Sequence, residues 1–294
     1  MVAIKKLAIP KSVKKIKSSR SLLKELKDVT ELQHENINPF IGACLEAPYF
    51  CLVTEYCGNG SLENLLSDEE FRCHMALKNS FLNDLVNGMT FLHESPIQSH
   101  GRLKTSNCVV DDQLVLKITD FSLAEIRSME DSSLLNLDEH SFFLKQLGIA
   151  PELLRMEIRP PKGTQSGDVY SFGIILHEVL YRHGIFYRGE DEYSSTKEIA
   201  ANVYKIILNT SPFGVENENV ETLIELMMNS WAEKPQDRLT FKEIQSLVAQ
   251  FSDVKNIDHR LLKPINITNI VNKTIESEIQ ELAEKISLIS EPHE

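Results

Sequence analysis

Hydrophobic positions along the chain change period twice. Val2 to Ile4 is a short apolar, β-branched run closed by lysines, which predicts a strand. Residues 18–33 then space Leu22, Leu23, Leu26, Val29 and Leu32 three to four apart behind a cluster of serines, the pattern of a capped amphipathic helix. Ile41 to Ala43 and Phe50 to Thr54 read as two strands around a turn at Ala47-Pro48, and Gly58-Asn59-Gly60 breaks the pattern. From Ser61 onward the period is mainly helical. Residues 79–93 place Phe81, Leu85, Met89 and Leu92 on one face, and 169–182, 197–208, 219–230 and 241–251 repeat the helical pattern. Between them Val109-Val110 and Leu114 to Ile118 form a short hairpin around Asp111-Asp112. A few strands followed by many helices is an α+β order rather than a βαβ alternation. No internal repeat or low-complexity tract is present.

The chain's 294 residues, 42% of them hydrophobic, suffice for one large domain or two lobes. A net charge of −12 disfavours nucleic acid as a partner, because a phosphate backbone needs a basic face. The charge is uneven: residues 1–27 carry +8 and the rest −20, so the basic start suits either a solvated helix face or contact with phosphates or a membrane surface. No apolar run reaches the ~20 residues of a membrane span. The five cysteines are odd in number and lack metal-ligand spacing, so they read as free thiols of a reducing compartment. The sequons at Asn209, Asn266 and Asn272 are then chance matches.

The candidate chemistry lies in an ordered series. Lys5 ends the first strand and Glu25 lies in the first helix. His100-Gly101-Arg102-Leu103-Lys104-Thr105-Ser106-Asn107 is followed by Asp120-Phe121-Ser122, then Ala150-Pro151-Glu152, Asp168 with Gly173, and Arg238. Each piece is commonplace alone; the order is not. Over residues 2–251 the chain resembles a protein kinase. The runs Leu52-Val53-Thr54-Glu55-Tyr56-Cys57 and Ser106-Asn107-Cys108-Val109-Val110-Asp111, with Ser99-His100-Gly101, resemble more narrowly the kinase-homology domain of receptor guanylyl cyclases.

That resemblance implies a two-lobed kinase-like fold: a partial small lobe and hinge over 1–57, a large lobe over 58–252, and a linker over 253–294 leading to a cyclase domain. It implies Lys5 as the ATP-phosphate lysine and Glu25 as its ion-pair partner. Thr54 would stand behind the adenine, Glu55 to Cys57 would form the hinge, and Val109 would lie under the ring. Asn107 and Asp120 become ligands for Mg²⁺, whose preference is for oxygen donors. Glu152 and Arg238 become a buried structural pair, and Asp168 the brace of the catalytic loop.

Three departures bear on activity. Arg102 stands where the kinase pattern has its catalytic aspartate, and a guanidinium has no acceptor for the substrate hydroxyl's proton. General-base assistance is worth roughly 10²–10⁴-fold. Ser122 replaces a glycine, restricting the backbone there. Only four residues precede Lys5, too few for a Gly-rich phosphate loop, so the small lobe is expected to be incomplete, ATP binding weak, and the chain part of a longer polypeptide.

The expected function is therefore a regulatory pseudokinase that relays a receptor signal to cyclic GMP synthesis by a neighbouring domain. Its place would be the cytoplasmic side of the plasma membrane, within a single-pass receptor. An active protein kinase and a free-standing scaffold are the alternatives.

The remaining candidates stay local. His34, beside Glu35 and Asn36, reads as a capping or surface histidine, and His74, His177 and His183 show no ligand spacing. Ser128, Ser132 and Ser133 suit phosphorylation and a polar loop equally. Ile275, Ile279, Leu282, Ile286 and Ile289 make a two-heptad seam, with Asn272 in register, which fits a homodimer through 265–294 or a helix packed back on the large lobe.

Overall fold

The computed structural model describes residues 1–10, 12–16, 19–121, 123–133, 148–182 and 218–249. The helical pattern at 197–208, the seam of 265–294, His183 and Ser122 lie outside them.

The small lobe is a three-stranded antiparallel sheet, β1 (Val2–Lys6), β2 (Phe40–Cys44) and β3 (Cys51–Glu55), in the order β1-β3-β2. Register pairs Lys5 with Leu52 and Cys44 with Cys51, and a bulge interrupts β2 between Phe40 and Gly42. β1 lies at the sheet edge and is mostly exposed, with Ile4 62% accessible. Helix α1 (Arg20–Thr30) begins at Ser19, whose Oγ accepts from the Leu22 amide at 2.9 Å, one of the donors that helix geometry leaves open. Its inward stripe is Leu22, Glu25 and Val29, so a carboxylate shares the buried face.

The large lobe starts at α2 (Leu62–Ser67), with a capping box between Ser61 and Asn64, and α3 (Met75–Glu94). Phe81, Leu85, Met89 and Leu92 of α3 are all buried, as their spacing predicts. The hairpin β4 (Cys108–Val110) and β5 (Leu116–Ile118) packs against α3. Helix α5 (Pro151–Leu154) is one turn. Helix α6 (Gln165–Tyr181) is apolar around most of its circumference and runs through the core, as such helices do. Helices α7 (Glu218–Ser230) and α8 (Phe241–Val248) close the lobe against α6 and α3. At Gly173 a Cβ would stand 2.7 Å from the Trp231 ring, so the α6–α7 contact requires glycine there.

Residues 124–133 form α4 (Ala124–Ser133), not a polar loop. Leu123 and Ile126, at three-residue spacing, join Leu7, Ile16 and Leu22 in a small second core, and Met129 packs on it. That apolar stripe fastens α4 beneath α1.

Candidate functional site

The large-lobe half of the site hangs on Asp168, in the first turn of α6 and 1% exposed. Its Oδ2 accepts from the His100 amide (2.7 Å) and faces His93 Nε2 (3.0 Å), and its Oδ1 accepts from the Gly101 amide (2.8 Å). The expected brace is thus present, made of hydrogen bonds to the loop backbone. His100 is fully buried, its Nε2 3.0 Å from the Thr119 carbonyl, and burial pushes its pKa down to about 4. Gly101 and Gly163 both have positive φ and touch backbone to backbone: a Cβ on Gly101 would sit 2.3 Å from the Lys162 carbonyl oxygen.

Glu152 and Arg238 meet bidentately, with Nη1–Oε1 2.7 Å and Nη2–Oε2 2.8 Å. Arg238 also donates to the Ala232 and Ser166 carbonyls and lies over the Tyr170 ring. This is the structural pair the sequence implied, with a planar guanidinium matched to a carboxylate.

The small-lobe half differs from expectation. Lys5 does not pair with Glu25. Its Nζ lies 2.6 Å from Asp120 Oδ1 and 3.8 Å from Glu130 of α4. Glu25, 5% exposed, instead binds Lys162 Nζ at 2.9 Å and accepts from the Ala124 amide at 2.9 Å, capping α4. Ser19 Oγ donates to Glu125 at 2.6 Å and ties α4 to the start of α1. The physical reason for the correction is α4: it supplies both the amide that Glu25 caps and the Glu130 carboxylate that faces Lys5.

Arg102, at the base position, reaches Glu130 (3.9 Å) and donates to the Arg127 carbonyl (3.3 Å). Arg127 is 4% exposed and donates Nη1 to the His100 carbonyl at 2.9 Å, while its Nε and Nη2 have no hydrogen-bond partner. Burial, with Arg102 close by, pushes its pKa down to about 10. Asn107 Nδ2 donates to the Arg102 carbonyl at 2.8 Å. Asn107 and Asp120 have the oxygen chemistry for Mg²⁺, but an ammonium on Asp120 is what a divalent cation would have to displace, so this conformation does not fit the ion. Among the described residues no group of three or more His, Cys, Asp or Glu could hold a metal.

In the segment expected to form the hinge, Thr54 sits in β3 opposite Ala3 and Phe40. The Glu55 amide donates to the Pro39 carbonyl and its own carbonyl accepts from Asn38 Nδ2. Cys57 is buried, its thiol pushed up to about 11 by burial, and Val109 is half-buried across a bridge from Ser61.

Lys162, Arg127, Glu130 and His93 belong to this constellation and were not singled out by sequence. Only Leu123, Ile126 and Met129, at three-residue spacing, could have betrayed α4 and with it Arg127 and Glu130. His34 is half-buried, its Nδ1 accepting from the Asn36 amide and its ring stacked on Phe91.

The protein tyrosine and serine/threonine kinase family matches residues 1–248. The chain belongs to that family. Relatives of this kinase-like domain include receptor guanylate cyclases. It is 42% identical over 302 residues to the receptor-type guanylate cyclase gcy-28 of Caenorhabditis elegans, covering 97% of this chain and 24% of the relative. It is 40% identical over 307 residues to atrial natriuretic peptide receptor 2 of Anguilla japonica, covering all of this chain and 28% of the relative. The human atrial natriuretic peptide receptor 2 is also 40% identical, over 280 residues, covering 92% of this chain and 26% of the relative. The kinase-like domain thus spans about a quarter of the length of the curated relatives it matches. No helix among the described residues is long and apolar enough to cross a membrane.

Proposed function

We propose that this kinase-like domain is the regulatory pseudokinase region of a receptor guanylate cyclase. It binds ATP without transferring phosphate and passes a receptor signal through residues 253–294 to a neighbouring domain that makes cyclic GMP. The setting would be the cytoplasmic side of the plasma membrane, with 265–294 as the dimerising segment.

One observation carries the reading. The base position holds Arg102, engaged with Glu130 and the Arg127 carbonyl, where phosphoryl transfer needs a carboxylate oriented toward the attacking hydroxyl. The charge pairing agrees with it. Lys5 rests on Asp120 and Glu25 on Lys162, so the residues that would grip phosphate and metal are tied to each other. Signalling through such a domain requires a ligand that binds two arrangements unequally. The exchangeable partners of Lys5 and Glu25 supply a second arrangement.

The test is a pair of measurements on the chain with ATP and Mg²⁺. Calorimetric titration is expected to show weak, saturable ATP binding that Lys5→Met lowers, while labelled ATP yields no phosphorylated chain or substrate peptide. Transfer of label that Lys5→Met abolishes would overturn the pseudokinase reading in favour of an active kinase. No ATP binding at all would remove the nucleotide from the proposal.

A further inference from the structure

We propose that Cys44 and Cys51 are a redox modification site, closing to an intramolecular disulfide when the protein meets a peroxide.

The two thiols are seven residues apart in sequence and form no redox motif, but the sheet brings them together. The β2–β3 register pairs Cys44 directly with Cys51. Directly opposed residues of an antiparallel pair share one face of the sheet, with Cα atoms about 4.5–5.5 Å apart. Disulfide-bonded cysteines span about 4.4–6.8 Å between Cα atoms, so the backbone already fits the bridge. The Cys44 thiol points to the Glu46 carbonyl at 3.7 Å, and rotation about its side chain is what the bridge requires of it.

Access separates this pair from the other thiols. Cys44 and Cys51 are half-buried, whereas Cys57, Cys73 and Cys108 are buried. Lys6 of β1 is in register with Cys51, so Lys6, Cys51 and Cys44 form one row across all three strands. The row beside it, Lys5, Leu52 and Ala43, points to the other face, where Leu52 packs against the small second core and Lys5 meets Asp120. An oxidant therefore approaches the pair from the side of the sheet opposite Lys5 and Leu52.

The chemistry balances with one peroxide. A thiol sulfur attacks an oxygen of hydrogen peroxide; the S–O bond forms, the O–O bond breaks, and a sulfenic acid and one water result. The second sulfur attacks the sulfenic sulfur, forming S–S and releasing the hydroxyl as a second water with the thiol proton. Two electrons leave the cysteine pair and peroxide takes both. A thiol reductant reverses the bridge by exchange, the behaviour of a transient disulfide in a reducing compartment.

The experiment is a stepwise hydrogen peroxide titration of the reduced chain, followed by alkylation and cleavage after glutamate. Cleavage at Glu46 and Glu55 puts Cys44, Cys51 and Cys57 on separate peptides. Expected is the joint loss of two alkylatable thiols of the five, with peptides 36–46 and 47–55 joined at a mass lower by two hydrogens. Dithiothreitol should separate them, and Cys44→Ser should abolish the link. The proposal is overturned by a link between Cys51 and Cys57, by a dimer on a non-reducing gel in place of the internal bridge, or by both thiols staying alkylatable at the dose that modifies Cys57.

Discussion

The two lobes answer the sequence differently. In the large lobe every structural partner read from the sequence is in place: Glu152 with Arg238, Asp168 with the loop at His100 and Gly101. In the small lobe the partners are exchanged, Lys5 going to Asp120 and Glu25 to Lys162. Solvent and competition account for the difference. The Arg238 side chain is fully inaccessible and Asp168 nearly so, so an unpaired state there leaves a charge without water. Lys5 and Lys162 are 42% and 44% exposed, and each carboxylate they hold stands near a second cation or amide. A pair whose cation keeps its water loses less on exchange than one whose cation has none.

The comparison breaks most sharply at Glu152. Glu152→Ala leaves the Arg238 guanidinium buried over Tyr170 with only carbonyl acceptors, and removing one partner of a buried ion pair typically costs about 3–5 kcal/mol. A urea or thermal melt is expected to show that loss. A change below about 1 kcal/mol would mean that the large lobe's pairs are as exchangeable as those of the small lobe.

The large lobe also carries the strongest pH signal. Burial raises Glu178 to about 7 and Asp84 to about 6. For a carboxyl raised on folding, the folded state holds the proton that the unfolded state gives up near pH 4.5. Stability therefore falls as pH rises from about 4.5 through 7. His100 acts in the opposite sense: its pKa is lowered to about 4, so stability falls as pH drops from 6.5 toward 4. Glu178→Gln is expected to flatten the decline between pH 5 and pH 8, by on the order of 2–3 kcal/mol if its whole shift is expressed. Urea melts at those two pH values read it, and an unchanged slope would place the proton elsewhere.

The large-lobe pairs were legible because each is set by a motif on a rigid helix or turn whose hydrophobic spacing also shows in the sequence. Val2 to Ile4, the α1 stripe, the β2–β3 turn and the hairpin at Asp111 were legible for the same reason. The hidden part was α4. Its segment is acidic and serine-rich, and its three apolar anchors face a core supplied by residues far back in the chain, from Leu7 to Leu52. Local propensity gives no account of such a helix. With α4 unseen, the partners of Glu25 and Lys5 could not be read. Nothing near Pro160-Pro161-Lys162-Gly163 announces a lysine aimed at Glu25 either.

A smaller change probes the joint between α1 and α4. Ser19→Ala removes the N-cap bond to the Leu22 amide and the bond to Glu125 together. N-cap losses average about 1 kcal/mol, so a modest drop in stability is expected, with faster amide exchange confined to the first turn of α1. Exchange spread across the large lobe would show that the lobes open as one unit.

The finest test asks what holds Glu25 away from Lys5. Lys162 is 44% exposed while the Glu25 side chain is 7% exposed, so the cost of Lys162→Ala stays at or below about 1 kcal/mol only if Lys5 takes the place of Lys162. Its effect should appear in binding. Without Lys162, Glu25 keeps one amide donor and no cation, and Lys5 becomes its natural partner. Asp120 is then released to face Arg127, whose Nε and Nη2 have no partner in the present arrangement. If the chain binds ATP as proposed and the present arrangement opposes it, the variant should bind ATP with Mg²⁺ a few-fold more tightly by calorimetry, because the competent state needs less conversion. Unchanged affinity, with stability also unchanged, would assign the displacement of Glu25 to the packing of α4 under α1. In that case Ile126→Ala, which opens the small second core, should raise ATP affinity where Lys162→Ala does not.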